Sequence, residues 1–154
     1  MPYYYADSSV LVRRHATERG TLLFEALTQQ SNKNIIITSQ ISTVEVVSAF
    51  QRKQREGLLS VSQAMQLSTD FLALCSNDYS LIDVTVNVLD HARTLLQQYP
   101  LRAYDAVQLA SALEVSVVLQ IAGLQPFVFL SADRQLLRAA ESVRLLVDNP
   151  NLYP

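Results

Sequence analysis

A chain of 154 residues with 49% apolar side chains has enough material for one ordinary core, and it reads as a single domain over 1–154. Its formal charge of -2 excludes the strongly basic footprint of a protein that grips duplex DNA through phosphates. No uncharged apolar run reaches the roughly 18 residues of a membrane-spanning helix, and the single cysteine, Cys75, excludes an intrachain disulfide and a thiolate metal cluster. Cys75 lies in FLALCSND and reads as a buried core thiol. The start, MPYYYADSSV, has no basic segment before its apolar stretch, so a cytoplasmic protein is expected.

In chain order, PYYYAD is a short aromatic strand ending at Asp7, and a helix capped by Ser8 or Asp7 follows through Val10, Leu11 and Arg14. Gly20 interrupts that helix before TLLFEALTQQ makes a second helical piece. After the turn-like SNKN, the β-branched run NIIIT predicts a buried strand. Ser39 or Ser42 then opens a helix to about Arg55, with Gly57 as its stop signal. Val61, Ala64, Leu67, Phe71 and Leu74 keep helical spacing in a helix from Ser60 to about Ser76.

YSLIDVT is a third strand, Val86 to Gln98 a helix ended by Pro100, and Arg102 to Leu119 a helix with Ala106, Val107, Ala110 and Leu113 on one face. FVFLS, ADRQLLRAAES and VRLLVD supply a fourth strand, a short helix and a fifth strand before an Asn and Pro tail. Alternating helices and near-continuous apolar strands predict an α/β fold: a three-layer α/β/α sandwich around a mainly parallel sheet of four to five strands.

Ligands of open parallel sheets gather beyond the carboxyl ends of the strands. Asp7 ends the first strand, Asp133 follows FVFL, and Glu45 lies about two turns into the helix after NIIIT, all leaving the same edge. Glu45 in STVEVVSAF and Asp105 in RAYDAVQLA are crowded by apolar neighbours, where an unpaired carboxylate is expensive without a base, donors or a cation. Each acid also has a plain structural role open to it: Asp7 and Asp133 as helix caps, Asp105 as a helical ion pair with Arg102. Taken together, four carboxylates without a cysteine cluster or a spaced histidine pair are hard oxygen ligands suited to Mg²⁺ or Mn²⁺. An ion of that kind activates water and offsets charge at a phosphate, which makes phosphodiester hydrolysis the natural reaction class. With four acids neutralised, the remaining ten face 12 bases, ten of them the Arg suited to phosphate contacts.

YYYADSSVLV, STVEVVSAF, LRAYDAVQLASAL and FLSADRQLLRAA, in that order, resemble the motif set of PIN domains over about Tyr3 to Val147. The resemblance implies a metal-dependent ribonuclease like the VapC-type toxins of toxin–antitoxin pairs. In it Asp7, Glu45, Asp105 and Asp133 would be the metal-holding catalytic acids, and Ser9 and Ser131 would line the pocket. It also implies a sheet with the third strand beside the second and the first strand central, RNA as substrate, a homodimer, and an antitoxin partner. That partner is expected to lay a helix over an apolar groove near Ala49, Phe50 and the 58–74 helix, with a basic side chain entering the pocket.

Arg13, Arg14, Arg102 and Arg134, with Arg138, are the candidate substrate-binding cations, although Arg13 and Arg14 also suit a solvated helix face. His15 reads as a surface or packing residue. An aspartyl-phosphate enzyme is disfavoured because no DxD pair follows the first strand, and because Lys33 and Lys53 are placed away from the acids. A non-catalytic PIN-like module that binds RNA or protein is the alternative, and loss of an acid would be its signature.

Overall fold

The computed structural model describes residues 2–16, 28 and 33–153. The predicted break at Gly20 and, apart from Thr28, the TLLFEALTQQ helix lie outside them. The strands are β1 (Tyr3–Ala6), β2 (Ile35–Ser39), β3 (Ser80–Ile82), β4 (Phe127–Leu130) and β5 (Leu146–Asp148). The helices of the described residues are α1 (Ser8–Ala16), α2 (Ile41–Arg55), α3 (Val61–Asn77), α4 (Val86–Gln98), α5 (Ala103–Ile121) and α6 (Arg134–Ser142).

All five strands run parallel in the order β3-β2-β1-β4-β5. Tyr3 aligns with Ile35 on one side and Phe127 on the other, so β1 is the central strand. The two-residue period of each strand divides its side chains between two cores. Tyr5, Ile37, Phe127 and Phe129 pack against α4, α5 and α6, whereas Ala6, Ile36 and Leu130 pack against α1, α2 and α3. Tyr5 and Phe129 stack with ring centroids 5.6 Å apart. Both faces are therefore covered, which is why the strands read as apolar throughout.

Local chemistry sets the element ends. Neither of the two serines predicted to open α2 is its N-cap, which is Gln40 without a side-chain cap bond; Ser39, at the end of β2, accepts the Ile41 N–H at 3.2 Å, and Ser42 lies inside the first turn. Gly57, at φ +77°, ends α2 with its own N–H on the Gln54 carbonyl and the Leu58 N–H on that of Lys53, the two bonds of a Schellman cap. Ser60 and Gln63 form a reciprocal capping box at the start of α3. The strand predicted over YSLIDVT shortens to three residues because the Tyr79 N–H bonds back to the Leu74 carbonyl at the end of α3 and Thr85 caps α4. No helix among the described residues is long and apolar enough to cross a membrane.

Phe71, fully buried, joins Val46, Phe50 and Cys75 in the core under α3. Phe71→Ala is expected to cost about 3–5 kcal/mol by transfer and cavity terms, read as a lower urea midpoint at unchanged slope.

Candidate active site

Asp7 leaves the carboxyl end of β1 and is 3% exposed. Its Oδ1 accepts from the Ser9 hydroxyl at 2.5 Å and the Val10 N–H at 3.3 Å, and its Oδ2 accepts from the Ser131 hydroxyl at 2.7 Å. Asp7 therefore caps α1 and still reaches the cavity described below. The serines are themselves held: Ser9 Oγ accepts the Ala132 N–H at 3.0 Å, and Ser131 Oγ accepts the Asp133 N–H at 3.0 Å. Ser9 lines the cavity, but Ser131 is fully buried behind Asp7 and corrects the expectation that it would line the pocket.

Glu45, half-buried on α2, is gripped from two directions. Gln108 Nε2 donates to its Oε1 at 2.8 Å, and the Ser8 hydroxyl donates to its Oε2 at 3.0 Å. Gln108 is 1% exposed and uses its whole carboxamide. Its oxygen accepts the Tyr5 hydroxyl at 2.7 Å, and its nitrogen also donates to Ser42 Oγ at 2.8 Å. Thr38 Oγ1 lies 2.7 Å from Ser42 Oγ and donates to the Ala6 carbonyl at 2.6 Å. Each hydroxyl has one proton, so Ser42 donates to Thr38 and accepts from Gln108. This orientation leaves Glu45 Oε1 as an acceptor, the role of a carboxylate.

Asp105 occupies the first turn of α5, and Asp133 is the N-cap of α6, with its Oδ1 accepting the N–H groups of Gln135 at 2.8 Å and Leu136 at 3.2 Å. Burial pushes the carboxyls of Asp7, Glu45 and Asp105 upward. The Asp105 charge adds to the rise at Asp7 and Glu45, and Asp133 adds to that at Asp105. Asp105 is thus the electrical hub of the four. No salt bridge joins Asp105 to Arg102, although the Arg102 backbone N–H and its charge pull the Asp105 carboxyl part of the way back down; the salt bridges among the described residues are His91 with Glu114 and Arg93 with Asp90.

Asp7, Glu45, Asp105 and Asp133 line one cavity of about 490 Å³. Arg13 and Arg102 share the lining. Arg14 does not; it donates to the Tyr79 hydroxyl at 2.9 Å. Arg134 lines a neighbouring cavity instead, and Arg138 is exposed and lines neither. The sequence reading missed Arg52 and Lys53, seven and eight residues after Glu45 on α2 and hence on its face. Lys53 was placed away from the acids; its presence in the lining removes that ground against an aspartyl-phosphate enzyme. The missing DxD still stands, since Ser9 occupies the second position. Gln108 was also missed, although a lone amide within the buried run Ala106 to Ala112 is a visible signal. Tyr104, 58% exposed at the cavity, offers a ring on which a base can stack.

No three acidic, His or Cys side chains among the described residues are arranged to enclose a metal ion. The donor set nonetheless suits a Mg²⁺-like cation, which keeps several waters and takes only one or two carboxylates directly. Asp7 and Asp133 already spend oxygens on hydroxyls and helix amides, leaving a charged cavity rather than a closed cage.

The PIN domain model matches residues 4–142, and the chain belongs to the PIN-domain family. It is 31% identical over 115 residues, 75% of this chain and 78% of the relative, to Ribonuclease VapC45 of Mycobacterium tuberculosis. Its fold resembles VapBC2 from Rickettsia felis bound to a DNA fragment from their promoter, with a TM-score of 0.63, 12% identity and coverage of 96% and 98%. It also resembles a toxin-antitoxin complex from Klebsiella pneumoniae, with a TM-score of 0.56, 18% identity and coverage of 96% and 97%.

Burial lifts the Asp7 carboxyl from 3.8 to about 6. Between those values the folded chain holds a proton that the unfolded chain has released, so this group's contribution to stability falls as pH rises through the window. Ionised Asp7 then costs the metal-free fold on the order of 3 kcal/mol. In excess chelator, Asp7→Asn is expected to melt above wild type at pH about 7.5, with the gap closing towards pH about 5. A variant that melts lower at both values contradicts this.

Proposed function

We propose that the chain is a metal-dependent endoribonuclease acting on single-stranded or structured RNA, and the toxin of a toxin–antitoxin pair. The observation that carries the reading is the convergence of four carboxylates from four separate connections on one cavity, with burial and mutual repulsion raising three of them together. Membership of the PIN family and the ribonuclease relative support it.

Asp7, Glu45, Asp105 and Asp133 would hold Mg²⁺ or Mn²⁺. A bound divalent ion supplies water activation and charge neutralisation at the scissile phosphate. The protein's own work is positional. Ser8 and Gln108 hold the two oxygens of Glu45, Ser9 and Ser131 hold those of Asp7, and α6 holds Asp133. Arg13, Arg52, Lys53 and Arg102 around the acids would meet the phosphates of an incoming strand.

The fold's likeness to a toxin-antitoxin complex supports an antitoxin partner. The groove proposed for it needs correction: Phe50 is fully buried and Ala49 nearly so, and the helix beside them spans Val61–Asn77 rather than 58–74. Val44, Leu58, Val61 and Met65, each 59–67% exposed, are the apolar residues that a partner helix or a second copy in a homodimer would cover there. The alternative, a non-catalytic module, would have as its signature the loss of an acid, but all four acids are present.

Asp105→Asn is expected to abolish cleavage of labelled single-stranded RNA in Mn²⁺ with little loss of thermal stability, because it removes the charge that three other acids oppose. RNA that survives wild-type protein freed of any partner, or cleavage undiminished in excess chelator, would overturn the reading.

A further inference from the structure

Beyond the acids lies a second cavity of about 430 Å³, lined by Arg13, Arg134, Asn149, Asn151 and Leu152. We infer that it is a phosphate subsite for a nucleotide flanking the scissile bond of single-stranded RNA. This rests on the ribonuclease reading and extends it by giving the strand a direction of travel: past α6 and the end of β5.

Three observations converge on it. Arg13 lines both cavities, and Asp133 and Arg134 are consecutive residues that line one cavity each. The two sites are therefore neighbours across the start of α6, and a strand passing between them stays in reach of Arg13. Their electrostatics differ as well. Four acids and four cations share the first cavity, whereas two arginines and two amides, with no carboxylate among the described residues, line the second. A polyanion gains from cations beyond the reacting phosphate, at the phosphates on either side.

The wall is also built rather than incidental. The Asn and Pro tail forms a 3-10 turn over Pro150–Leu152 with Pro150 buried. Asn149 is 8% exposed, and its Oδ1 accepts the Asn151 N–H at 2.9 Å. Tyr153 closes the turn by donating its hydroxyl to Asp148 Oδ2 at 3.2 Å. Within this wall Asn151 Oδ1 is shut from solvent and has no hydrogen-bond partner. A buried acceptor without a donor is costly. Turning the amide into the cavity it lines would let a ribose hydroxyl or base amine of the flanking nucleotide supply that donor.

The test measures binding separately from cleavage. Arg134→Ala, Arg134→Lys and Asn151→Ala are each placed on the Asp105→Asn background, and Kd for a labelled hexaribonucleotide is followed by anisotropy in Mn²⁺ across salt concentrations. Arg134 is exposed, so its replacement leaves the fold in place. The expected result is that Arg134→Ala raises Kd about tenfold at low salt and reduces the slope of log K against log salt by about 0.7, the loss of one phosphate contact. Arg134→Lys recovers most of the loss, and Asn151→Ala raises Kd about threefold without changing the slope. Kd and slope unchanged in Arg134→Ala, or no recovery with lysine, would overturn the subsite. Cleavage by the wild-type chain is scored independently. An enzyme that cuts RNA while Arg134→Ala binds normally loses the subsite alone. A chain that cuts nothing yet shows the slope change keeps a phosphate-binding site for RNA there and loses the nuclease.

Discussion

The structure turns on the cost of keeping the Asp7 carboxylate dry at the end of the central strand. In that position it lies where β1, β4 and α1 meet, so donors from two sides converge on it: Ser9 and Val10 from α1, and Ser131, the residue after β4. Those donors do not cancel the penalty, since the carboxyl still sits at about 6. A cation would relieve the remainder, and so would a proton. The tension between the two gives the site both its chemistry and its pH dependence.

Gln108 extends the same logic between layers. It rises from α5, whose neighbours pack on one face of the sheet, and it holds Glu45 of α2, which packs on the other. Through Ser42 and Thr38 the chain of donors ends on the Ala6 carbonyl, one residue before Asp7. Glu45 is thus tied to a buried network that ends beside Asp7 and in which every proton has a place. Such networks specify a unique arrangement when fully satisfied.

The fold was largely legible because its signals are local: β-branched and aromatic runs for the strands, Gly57 and Ser60 as punctuation, helical spacing on α3 and α5. The family resemblance, rather than periodicity, ordered the strands, since pairing is a long-range property. Strand-end reasoning put Asp7, Glu45 and Asp133 at one edge, and the cavity has them there. Asp105 rested on resemblance and an awkward apolar setting, yet it is the residue whose charge touches two of the other acids and is touched by the third. The arginines were harder to place. A long side chain on a short helix can go to either side, and Arg13 and Arg14, adjacent in sequence, go to the cavity and to Tyr79. Lys53 lies late in α2, but two helical turns return it to the face of Glu45 and so to the cavity.

Proton release on cation binding tests the central claim most directly. Calorimetric titration of the wild-type chain with Mn²⁺, repeated in buffers of different ionisation enthalpy, measures that release. With Asp7 half-protonated near pH about 6, saturable binding should release on the order of half a proton or more there and almost none near pH about 8. Binding with no release at the lower pH, or no saturable binding at either, would contradict a cation held by these acids.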